Sequence, residues 1–420
     1  MTQDLKGAYR TIMDDHFPER MEISFVSDQT RSTLVYEKVT WVVDGVRKGL
    51  RYGENPGQEA ALYRLVNGNL VLGDVQTIAP GRHLVSDAAL LQAGKHPGKI
   101  NLMDVDNALN ILGGISRCLD NRPAAAIMKH NCPSGVAVAD TVAEAYVKAD
   151  LADHLAAFGG CVALNRPVDV PTAEAIAQRY AEVVVAPAYE EGSLAILSGR
   201  KNLRIMRIDG IEGLSRFSTE RFVDFSSLID GSVVAQLSYL PRMSGTGDLR
   251  VAEAIHDRQT YRIHRQPTER EAEDLVFGWM VAAGVVSNSV LFVKDLVTVG
   301  IGAGEQDRVG AARIARQKAY WKMADRLAFE HHGVVFGALE GETSRREIQE
   351  EVQAEHGGLL GAAMISDGFF PFRDGVDVGL REGVTAVAQP GGSLNDHTVI
   401  EACNEAGATM VFTGQRSFRH

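Results

Sequence analysis

The amino-acid sequence predicts an α/β protein, in which apolar strands alternate with amphipathic helices along most of the chain. The segment Thr141 to Ala157 carries apolar residues at intervals of three and four, as one face of a helix requires. The run Val183-Val-Val-Ala-Pro187 is wholly apolar, which is typical of a strand in a sheet covered on both faces. Because the alternation resumes from about residue 265, the two halves could be a duplicated α/β unit, although no sequence repeat is visible.

Local patterns predict the other elements. Residues 1–48 are interpreted as an extension, with a short helix at Thr2–His16 and β-branched, strand-like content at Ser32–Val46. Residues 198–239 are less regular and are interpreted as a link between the halves. Further elements are predicted in this order: helices at Leu102–Leu112, Thr172–Tyr180 and Glu271–Ala283, strands at Ser289–Phe292 and Val297–Ile301, helices at Ala311–Glu330 and Arg345–Glu355, strands at Ala362–Asp367 and Val384–Ala388, a helix ending at Ala406, and a strand at Met410–Thr413.

Composition limits the class of protein. The chain has 420 residues, of which 45% are apolar and 23% charged, which is enough to build the cores of two or three domains. The net charge of −11 and the lack of a long basic run argue against non-specific nucleic-acid binding. The four cysteines show no CxxC spacing, and we find no signal peptide and no apolar run of membrane length. We therefore expect a cytoplasmic protein with reduced thiols and no membrane association.

The first candidate for chemistry is Lys129-His130, at the end of the apolar stretch that follows Arg122-Pro123. We predict a buried strand that breaks here into a tight Pro/Gly loop. A cation beside a histidine lowers the affinity of the imidazole for a proton, which keeps His130 neutral near pH 7 and able to act as a base. Adjacent Lys and His side chains are usually just solvated, but sites of α/β sheets lie at strand ends. The loop also holds Cys132, yet the His-x-Glu and Pro-Cys-x-x-Cys motifs of zinc deaminases are missing, so zinc catalysis is not expected.

Three further stretches each allow a structural and a functional interpretation. Gly300-Ile-Gly-Ala-Gly304 lacks the dinucleotide-binding spacing and is interpreted as a flexible strand-to-helix loop, more often a turn than a ligand site. Phe369-Phe-Pro-Phe372 is either core or the aromatic wall of a cleft for a ring system. The tail Arg416-Ser-Phe-Arg-His420 is either frayed or docked at the end of the sheet. Asn288 is either a turn residue or a hydrogen-bonding side chain near a site.

Taken together, these stretches resemble the AICAR transformylase family over roughly residues 48–420. The motifs that carry the resemblance recur in one order and are long: Arg51-Tyr-Gly-Glu-Asn-Pro56, Lys129-His-Asn-Cys-Pro-Ser-Gly135, Ala157-Phe-Gly-Gly160, Asn165-Arg-Pro-Val-Asp169, Gly300-Ile-Gly-Ala-Gly304, Ser366-Asp-Gly-Phe-Phe-Pro-Phe-Arg-Asp374 and Gln389-Pro-Gly-Gly-Ser393. Three positions depart from the family pattern: Gly57 stands where a histidine is usual, Ala156 where a serine is usual, and the loop Cys132-Pro-Ser-Gly135 is a variant form.

The resemblance implies a fold and a reaction. The fold would be two cytidine-deaminase-like α/β/α units in tandem without zinc, in an intertwined homodimer with active sites at the interface. The implied domains are an extension at 1–48, a first unit at 49–200, a linker region at 201–240, and a second unit at 241–420 with a helical insertion at about 308–358. The reaction would transfer a formyl group from 10-formyltetrahydrofolate to the 5-amino group of AICAR. Formate with ATP is the alternative donor, although the aromatic loop favours folate.

The resemblance also implies residue roles. His130 would be the base, Lys129 would support it and the developing oxyanion, Asn288 would position the formyl group, and His420 would contact the carboxamide. The other implied site residues are Arg51 and Arg416 at the 5′-phosphate, Tyr52, Asn101, Gly159, Glu182 and Arg308 on the nucleotide side, Phe369, Pro371, Phe372 and Asp374 in the folate and catalytic loop, and Ser289 and Asp367 near a structural potassium ion.

Only about fifty residues precede the Arg51 motif, where the bifunctional enzymes carry a cyclohydrolase domain. The resemblance therefore implies a stand-alone transformylase, with a separate IMP cyclohydrolase in the pathway. A binding protein for nucleotide or folate without catalytic activity is the alternative. It has no need of a base such as His130.

Overall fold

A computed structural model describes residues 11–73, 75–76 and 84–420. The N-terminal part forms short strands: β1 Arg20–Val26, β2 Arg31–Val39, β3 Trp41–Val43, β4 Val46–Lys48, β5 Leu62–Gly68, β6 Val71–Leu72, β7 Val75–Gln76 and β8 Ala89–Gln92. Residues 11–16 form no helix, so the described part of the predicted Thr2–His16 helix is wrong, and residues 2–10 lie outside the described residues. The strand predicted at Ser32–Val46 divides into β2 and β3 and reaches the start of β4.

The first half of the chain then forms a helix, a hairpin and three βα repeats. Its elements are α1 Lys99–Cys118, β9 Ala124–Lys129, β10 Cys132–Val138, α2 Val142–Ala152, α3 His154–Ala157, β11 Cys161–Leu164, α4 Val170–Ala177, β12 Val183–Ala186, α5 Ser193–Ser198 and β13 Arg204–Arg207. The single helix predicted at Thr141–Ala157 is therefore two helices. The break lies at Asp153, whose carboxylate accepts a hydrogen bond from Ala156 N–H and begins the second helix.

A connecting region and a second half follow. The connection contains α6 Leu214–Phe217 and the hairpins β14 Val223–Ser227 with β15 Val233–Leu237, and β16 Glu253–His256 with β17 Gln259–Arg262. The second half consists of α7 Glu269–Ala282, β18 Val290–Lys294, β19 Val297–Gly302, α8 Arg308–His332, α9 Glu342–Ala354, β20 Ala363–Ser366, α10 Arg373–Leu380, β21 Ala386–Gln389, α11 Asp396–Glu405 and β22 Thr409–Phe412.

Within the described residues, the largest sheet has 11 strands in the order β22-β21-β20-β18-β19-β10-β9-β11-β12-β13-β8. Outward from its centre, each half has the same order: second hairpin strand, first hairpin strand, then three parallel strands. The halves join where β10 and β19 run antiparallel, with Ala137 opposite Val297. The α/β prediction is confirmed, and the repeated order shows that the two halves share one topology. The predicted linker 201–240 contains β13, so the sheet of the first half extends beyond residue 200.

Helices cover both faces of this sheet. Helices α1 and α7 share the largest core on one face, and their close approach is visible at Gly114, where an added Cβ would lie 2.8 Å from the sulfur of Met280. On the other face, α2 and α4 pack over the first half and α8 and α11 over the second. Within the described residues, no helix combines the length and the apolar composition that a membrane crossing requires.

Two glycines allow helices to contact the sheet closely. A Cβ on Gly135 in β10 would lie 2.0 Å from the carbonyl oxygen of Ala149 in α2. A Cβ on Gly302 in β19 would lie 2.0 Å from the carbonyl oxygen of Ala311 in α8. The predicted strand Val297–Ile301 is confirmed and extends to Gly302, whereas the overlapping interpretation of Gly300 to Gly304 as a loop is wrong for its first three residues. These glycines are required because a helix backbone lies against the strand.

Candidate functional site

The pair Lys129-His130 ends β9 and begins a hairpin. Residues His130 and Asn131 form a two-residue turn with φ of 52° and 61°, and β10 starts directly after it at Cys132. The predicted strand end is confirmed, but the predicted Pro/Gly loop is wrong, since Pro133 to Gly135 are part of β10. Two positive φ angles are what a primed hairpin turn requires, and Asn and His adopt them more readily than most residues. The turn leaves the His130 side chain exposed.

Side chains of helix α1 form hydrogen bonds with the backbone of this turn. The Asn131 N–H donates to Asp104 Oδ1 at 2.6 Å, and Asn107 Nδ2 donates to the carbonyl oxygens of Asn131 and Gly284, both at 2.9 Å. One turn earlier in the helix, Asn101 Nδ2 donates to Glu182 Oε2 at 3.4 Å. These three buried polar residues recur every third position and therefore line one face of α1. Sequence reasoning found Asn101 but missed Asp104 and Asn107, although this polar spacing within an apolar helix was the available signal.

The electrostatics around His130 come from both signs of charge. Burial raises the pKa of Asp104 to about 6, against the opposing influences of the Asn131 N–H and of nearby His130 and Lys129. Lys129 Nζ donates to the carbonyl oxygen of Phe158 at 2.5 Å. The neutrality of His130, which the adjacent Lys129 leads us to expect, stays a prediction.

Gly159 lies directly beside the Lys129 ammonium group. Its φ is +70°, and a Cβ at this position would lie 3.2 Å from Lys129 Nζ. The adjacent Phe158 is 64% exposed, so the side of the site formed by this loop is open to solvent. A side chain on residue 159 would strain the backbone and crowd the ammonium group, and glycine avoids both effects.

A buried group of polar residues lies beyond Glu182. Arg51 Nη2 donates to the Tyr52 hydroxyl at 2.9 Å, and the guanidinium carbon of Arg51 lies 4.5 Å from the Tyr52 ring centroid. Arg204 donates to the Glu182 carboxylate at 3.4 Å and is 1% exposed. Burial, followed by the nearby charge of Arg51, lowers the pKa of Arg204 to about 10. Arg204 was missed, and its signal was a single charged residue within the apolar run Leu203–Met206.

The second half contributes a compact polar group around Asp367. Arg308, the first residue of α8, donates to the Asp367 carboxylate, to Ser366 Oγ at 2.9 Å, and to Asn288 Oδ1 at 2.7 Å. The other carboxylate oxygen of Asp367 accepts from Ser289 N–H at 2.9 Å and from the Ser287 hydroxyl. Arg308 therefore fixes the orientation of the Asn288 side chain, and Asp367 fixes Arg308.

The predicted potassium site at Ser289 and Asp367 can be compared with these contacts. The Asp367 carboxylate already accepts three donors, and the Arg308 guanidinium supplies its counter-charge. Ser289 Oγ, by contrast, is buried without a hydrogen-bond partner in the described part of the chain, and it is an oxygen of the kind that hard cations prefer. Ser289 therefore fits a cation better than Asp367 does, and the potassium ion stays a prediction. Among the described residues, no three His, Cys, Asp or Glu side chains converge on a metal position.

The aromatic loop divides between the core and the surface. Phe370 is fully buried and its N–H donates to Gln389 Oε1 at 2.7 Å, whereas Phe369 and Phe372 are 39% and 61% exposed. The carbonyl oxygen of Pro371 accepts from Asn395 Nδ2 at 2.8 Å. Of the two interpretations of this run, the core is the correct one for Phe370, which anchors the loop, whereas Phe369 and Phe372 are left at the surface. Asp374 is exposed in the first turn of α10, next to this loop.

The C-terminal tail is docked rather than frayed. Its backbone bonds to the sheet end, with Ser417 N–H donating to Asp367 O at 3.0 Å and Ser287 N–H donating to Arg419 O at 2.9 Å. The Arg419 side chain donates to Asn131 Oδ1 at 3.1 Å, and its burial lowers the pKa of the guanidinium. The tail therefore connects the Asp367 group of the second half to the His130 turn of the first half. Arg419 is a further residue that sequence reasoning did not single out.

Hydrogen bonds connect part of the predicted site. Asp104, Asn131, Arg419 and Ser287 form a chain of hydrogen bonds that joins the His130 turn to Asn288. Gly368 follows Asp367, and a Cβ at this position would lie 2.9 Å from the Phe418 ring, so the aromatic loop starts next to the tail. Other predicted residues are near but unconnected: Arg416 and His420 are exposed on the tail, and no hydrogen bond between described residues joins Arg416 to the buried Arg51.

Comparison with known proteins assigns the family. The family model described as AICARFT/IMPCHase bienzyme matches residues 9–318. The chain is 38% identical over 376 residues to the bifunctional purine biosynthesis protein PurH of Magnetococcus marinus. The aligned region covers 89% of this chain and 59% of that protein. The PurH of Dinoroseobacter shibae is 38% identical over 372 residues, with 88% and 59% covered. The chain thus spans about three-fifths of the length of these relatives. The chain belongs to the AICARFT/IMPCHase bienzyme family.

Proposed function

We propose that this protein acts in purine biosynthesis by transferring a formyl group from 10-formyltetrahydrofolate to the 5-amino group of AICAR. The family supports this proposal, because relatives named for purine biosynthesis match most of this chain. The observation that carries it is the chain of contacts from the His130 turn through Arg419 to Ser287-Asn288. It brings a candidate base and a candidate amide donor to one surface within a single chain.

In the proposed reaction the amine nitrogen of AICAR attacks the formyl carbon of the donor. A C–N bond forms, the carbonyl oxygen becomes an oxyanion, and the exposed His130 imidazole accepts the amine proton. The Lys129 ammonium group stabilises the oxyanion, and the Asn288 amide, held by Arg308, orients the formyl oxygen. The bond from the formyl carbon to N10 then breaks, and the proton passes from His130 to N10 of the leaving tetrahydrofolate.

The nucleotide and the folate are proposed to lie on opposite sides of His130. Arg51 and Arg416 would bind the 5′-phosphate, because guanidinium groups match phosphate oxygens. His420 would contact the carboxamide, and the exposed Phe369 and Phe372 would lie against the folate ring. The remaining residues of this proposal are Tyr52, Asn101, Gly159 and Glu182 around the nucleotide and Pro371 and Asp374 in the folate loop.

A homodimer is part of the proposal. The hairpin of β14 and β15 and its flanks expose apolar side chains: Phe222 is 51%, Leu228 50% and Val233 59% exposed. Such a continuous apolar surface on a two-stranded sheet is uncommon without a covering partner. A second copy of this chain is the partner that the family resemblance implies. Sedimentation equilibrium tests this, and a monomer at micromolar concentration would contradict it.

The test of the function is an assay of the purified protein with AICAR and one formyl donor at a time. We expect formyl-AICAR with 10-formyltetrahydrofolate and none with formate plus ATP. Binding of both ligands by calorimetry without any product would favour the alternative, a binding protein without catalytic activity. Product from formate plus ATP alone would reject folate as the donor and keep the formyl transfer.

A further inference from the structure

Asp104 is a buried carboxylate, 6% exposed, whose ion pairs and hydrogen bonds are few. Among the described residues, no Lys or Arg forms an ion pair with it, although the charge of Lys129 acts on it. Within that part of the chain, its hydrogen bond is the one from the backbone N–H of Asn131, at 2.6 Å, directly after His130. Burying an acid this way is unfavourable for folding, as its raised pKa of about 6 indicates. Because its burial does not stabilise the fold, the position of Asp104 points to another role.

The second half contains the structural equivalent of this residue. Asp274 is the sixth residue of α7, as Asp104 is the sixth of α1, counting from Glu269 and Lys99. Asp274 accepts from the N–H groups of Leu296 at 2.7 Å and Asp295 at 3.2 Å, in the two-residue turn between β18 and β19. Both turn residues have positive φ, 52° and 59°, as in the His130 turn. A helix carboxylate that holds a hairpin turn is therefore a recurrent feature of the duplicated topology.

The two aspartates differ in charge compensation. Asp274 forms an ion pair with Arg270 at 3.0 Å, although burial still raises its pKa, and its turn carries no candidate base. Asp104 lies near groups that belong to the candidate site: His130 and Lys129 from the turn and its strand, and Glu182, which directly precedes β12. The thiol of Cys161 in β11 lies near it as well. The Asp104 carboxylate therefore lies near the residues that are proposed to carry out the reaction.

We propose that Asp104 is a positioning residue that holds the His130–Asn131 turn and presents the His130 imidazole to the substrate. This inference rests on the proposed function of His130. Asn107 binds the carbonyl oxygen of Asn131, and Arg419 binds its side-chain oxygen. Together with the bond to Asp104, these contacts fix the orientation of the turn.

Two substitutions separate the hydrogen bond from the charge. In Asp104→Asn the amide oxygen still accepts from Asn131 N–H, whereas the charge is removed. In Asp104→Ala both are removed. We expect Asp104→Ala to lower kcat by about 100-fold, since small displacements of a catalytic group have effects of that size. The KM for AICAR should stay within about threefold, because Asp104 forms no hydrogen bond with the proposed nucleotide residues in the described part of the chain. Asp104→Asn should retain most of kcat, because the hydrogen bond from Asn131 is kept.

One readout does not need turnover, since hydrogen exchange gives the protection of the Asn131 amide. We expect faster Asn131 exchange in Asp104→Ala and wild-type exchange in Asp104→Asn. Asp274→Asn is the matched control in the equivalent turn, and it should leave kcat and Asn131 exchange unchanged.

The outcomes distinguish this inference from the proposed function. A folded Asp104→Ala variant with wild-type kcat and wild-type Asn131 exchange would overturn the positioning role. An equal loss of kcat in Asp274→Asn would overturn it too, since general destabilisation would then explain both. If the wild-type protein forms no formyl-AICAR, the proposed function fails, and Asn131 exchange in the Asp104 variants still decides whether Asp104 holds the turn.

Discussion

The two hairpin turns at the ends of β9 and β18 have the same backbone and different surroundings. At Asp295-Leu296, the ion pairs of Arg270 with Asp274 at 3.0 Å and with Asp295 at 3.6 Å close the turn. At His130-Asn131, the supporting carboxylate is not paired and the imidazole is exposed. The same structural unit is thus stabilised by charge pairing in one half, whereas the other half leaves the charge next to a candidate base.

This difference separates what the fold requires from what a function would require. A helix carboxylate bonded to a turn occurs in both halves, so the hydrogen bond belongs to the topology. Of these two carboxylates, Asp274 has an ion-pair partner and Asp104 has none among the described residues, which makes the burial of Asp104 less favourable for folding. Proteins commonly accept such local instability at functional sites. Substitutions made in pairs, one in each turn, test whether this distinction holds.

The largest expected effect is on catalysis. His130→Asn keeps a residue that tolerates positive φ and removes the proposed base, so formyl transfer should fall by about 10² to 10⁴-fold. The paired variant Asp295→Asn, at the same place in the other turn, should retain wild-type turnover. Steady-state kinetics with AICAR and 10-formyltetrahydrofolate measures both. Near-normal turnover by His130→Asn would remove His130 from the role of base.

The next effect is on the pH dependence of stability. Because burial raises the pKa of Asp104 from 3.8 to about 6, the native state binds the proton more tightly than the unfolded chain. The free energy of unfolding should therefore fall as pH rises from about 4 to about 6, by about 3 kcal/mol from this group. Asp104→Asn should lack this decrease. Urea denaturation at pH 4 and pH 8 measures it, and identical pH profiles for the two proteins would contradict the uncompensated burial of Asp104.

The smallest effect concerns packing that the two halves share. Gly135→Ala and Gly302→Ala each direct a Cβ at a helix carbonyl oxygen 2.0 Å away, and each should reduce the free energy of unfolding by about 1–3 kcal/mol. Gly247→Ala is the control, since no atom lies within 4 Å of its Cβ position. Denaturation of all three variants in urea gives the comparison. A large loss in only one half would show that the two strand–helix contacts are not equivalent.

The sequence predicted more of the second half than of the first. Alternating apolar patterns identified the α/β class and most strands after residue 265, because buried parallel strands have a strong local signature. It misplaced the His130 loop, since Pro133 and Gly135 are turn residues elsewhere but belong to a bulged strand here. It assigned Gly300 and Gly302 to a loop for the same reason: a glycine required by a neighbouring helix looks like a glycine required by a turn.

The candidate site was predicted in part. Lys129 and His130 stood in a motif, and Asn288 and Arg308 were named from the family resemblance. Asp104, Asn107, Arg204 and Arg419 were not named. Their partners are distant in sequence, since Asp104 binds a residue 27 positions away and Arg419 one 288 positions away. No local pattern records which backbone N–H a buried carboxylate will accept.

By itself, the sequence determined the α/β class, the order of most elements and the motifs that carry the family resemblance, because these depend on local periodicity and on rare residue combinations. The tertiary structure decided that the two halves share one topology, that the tail is docked, and that the His130 turn lies over an unpaired aspartate. These features depend on contacts between segments far apart in the chain, where burial and the choice of partner set the charge of a group. The same carboxylate, at the same position of two related helices, is balanced in one half and left uncompensated in the other.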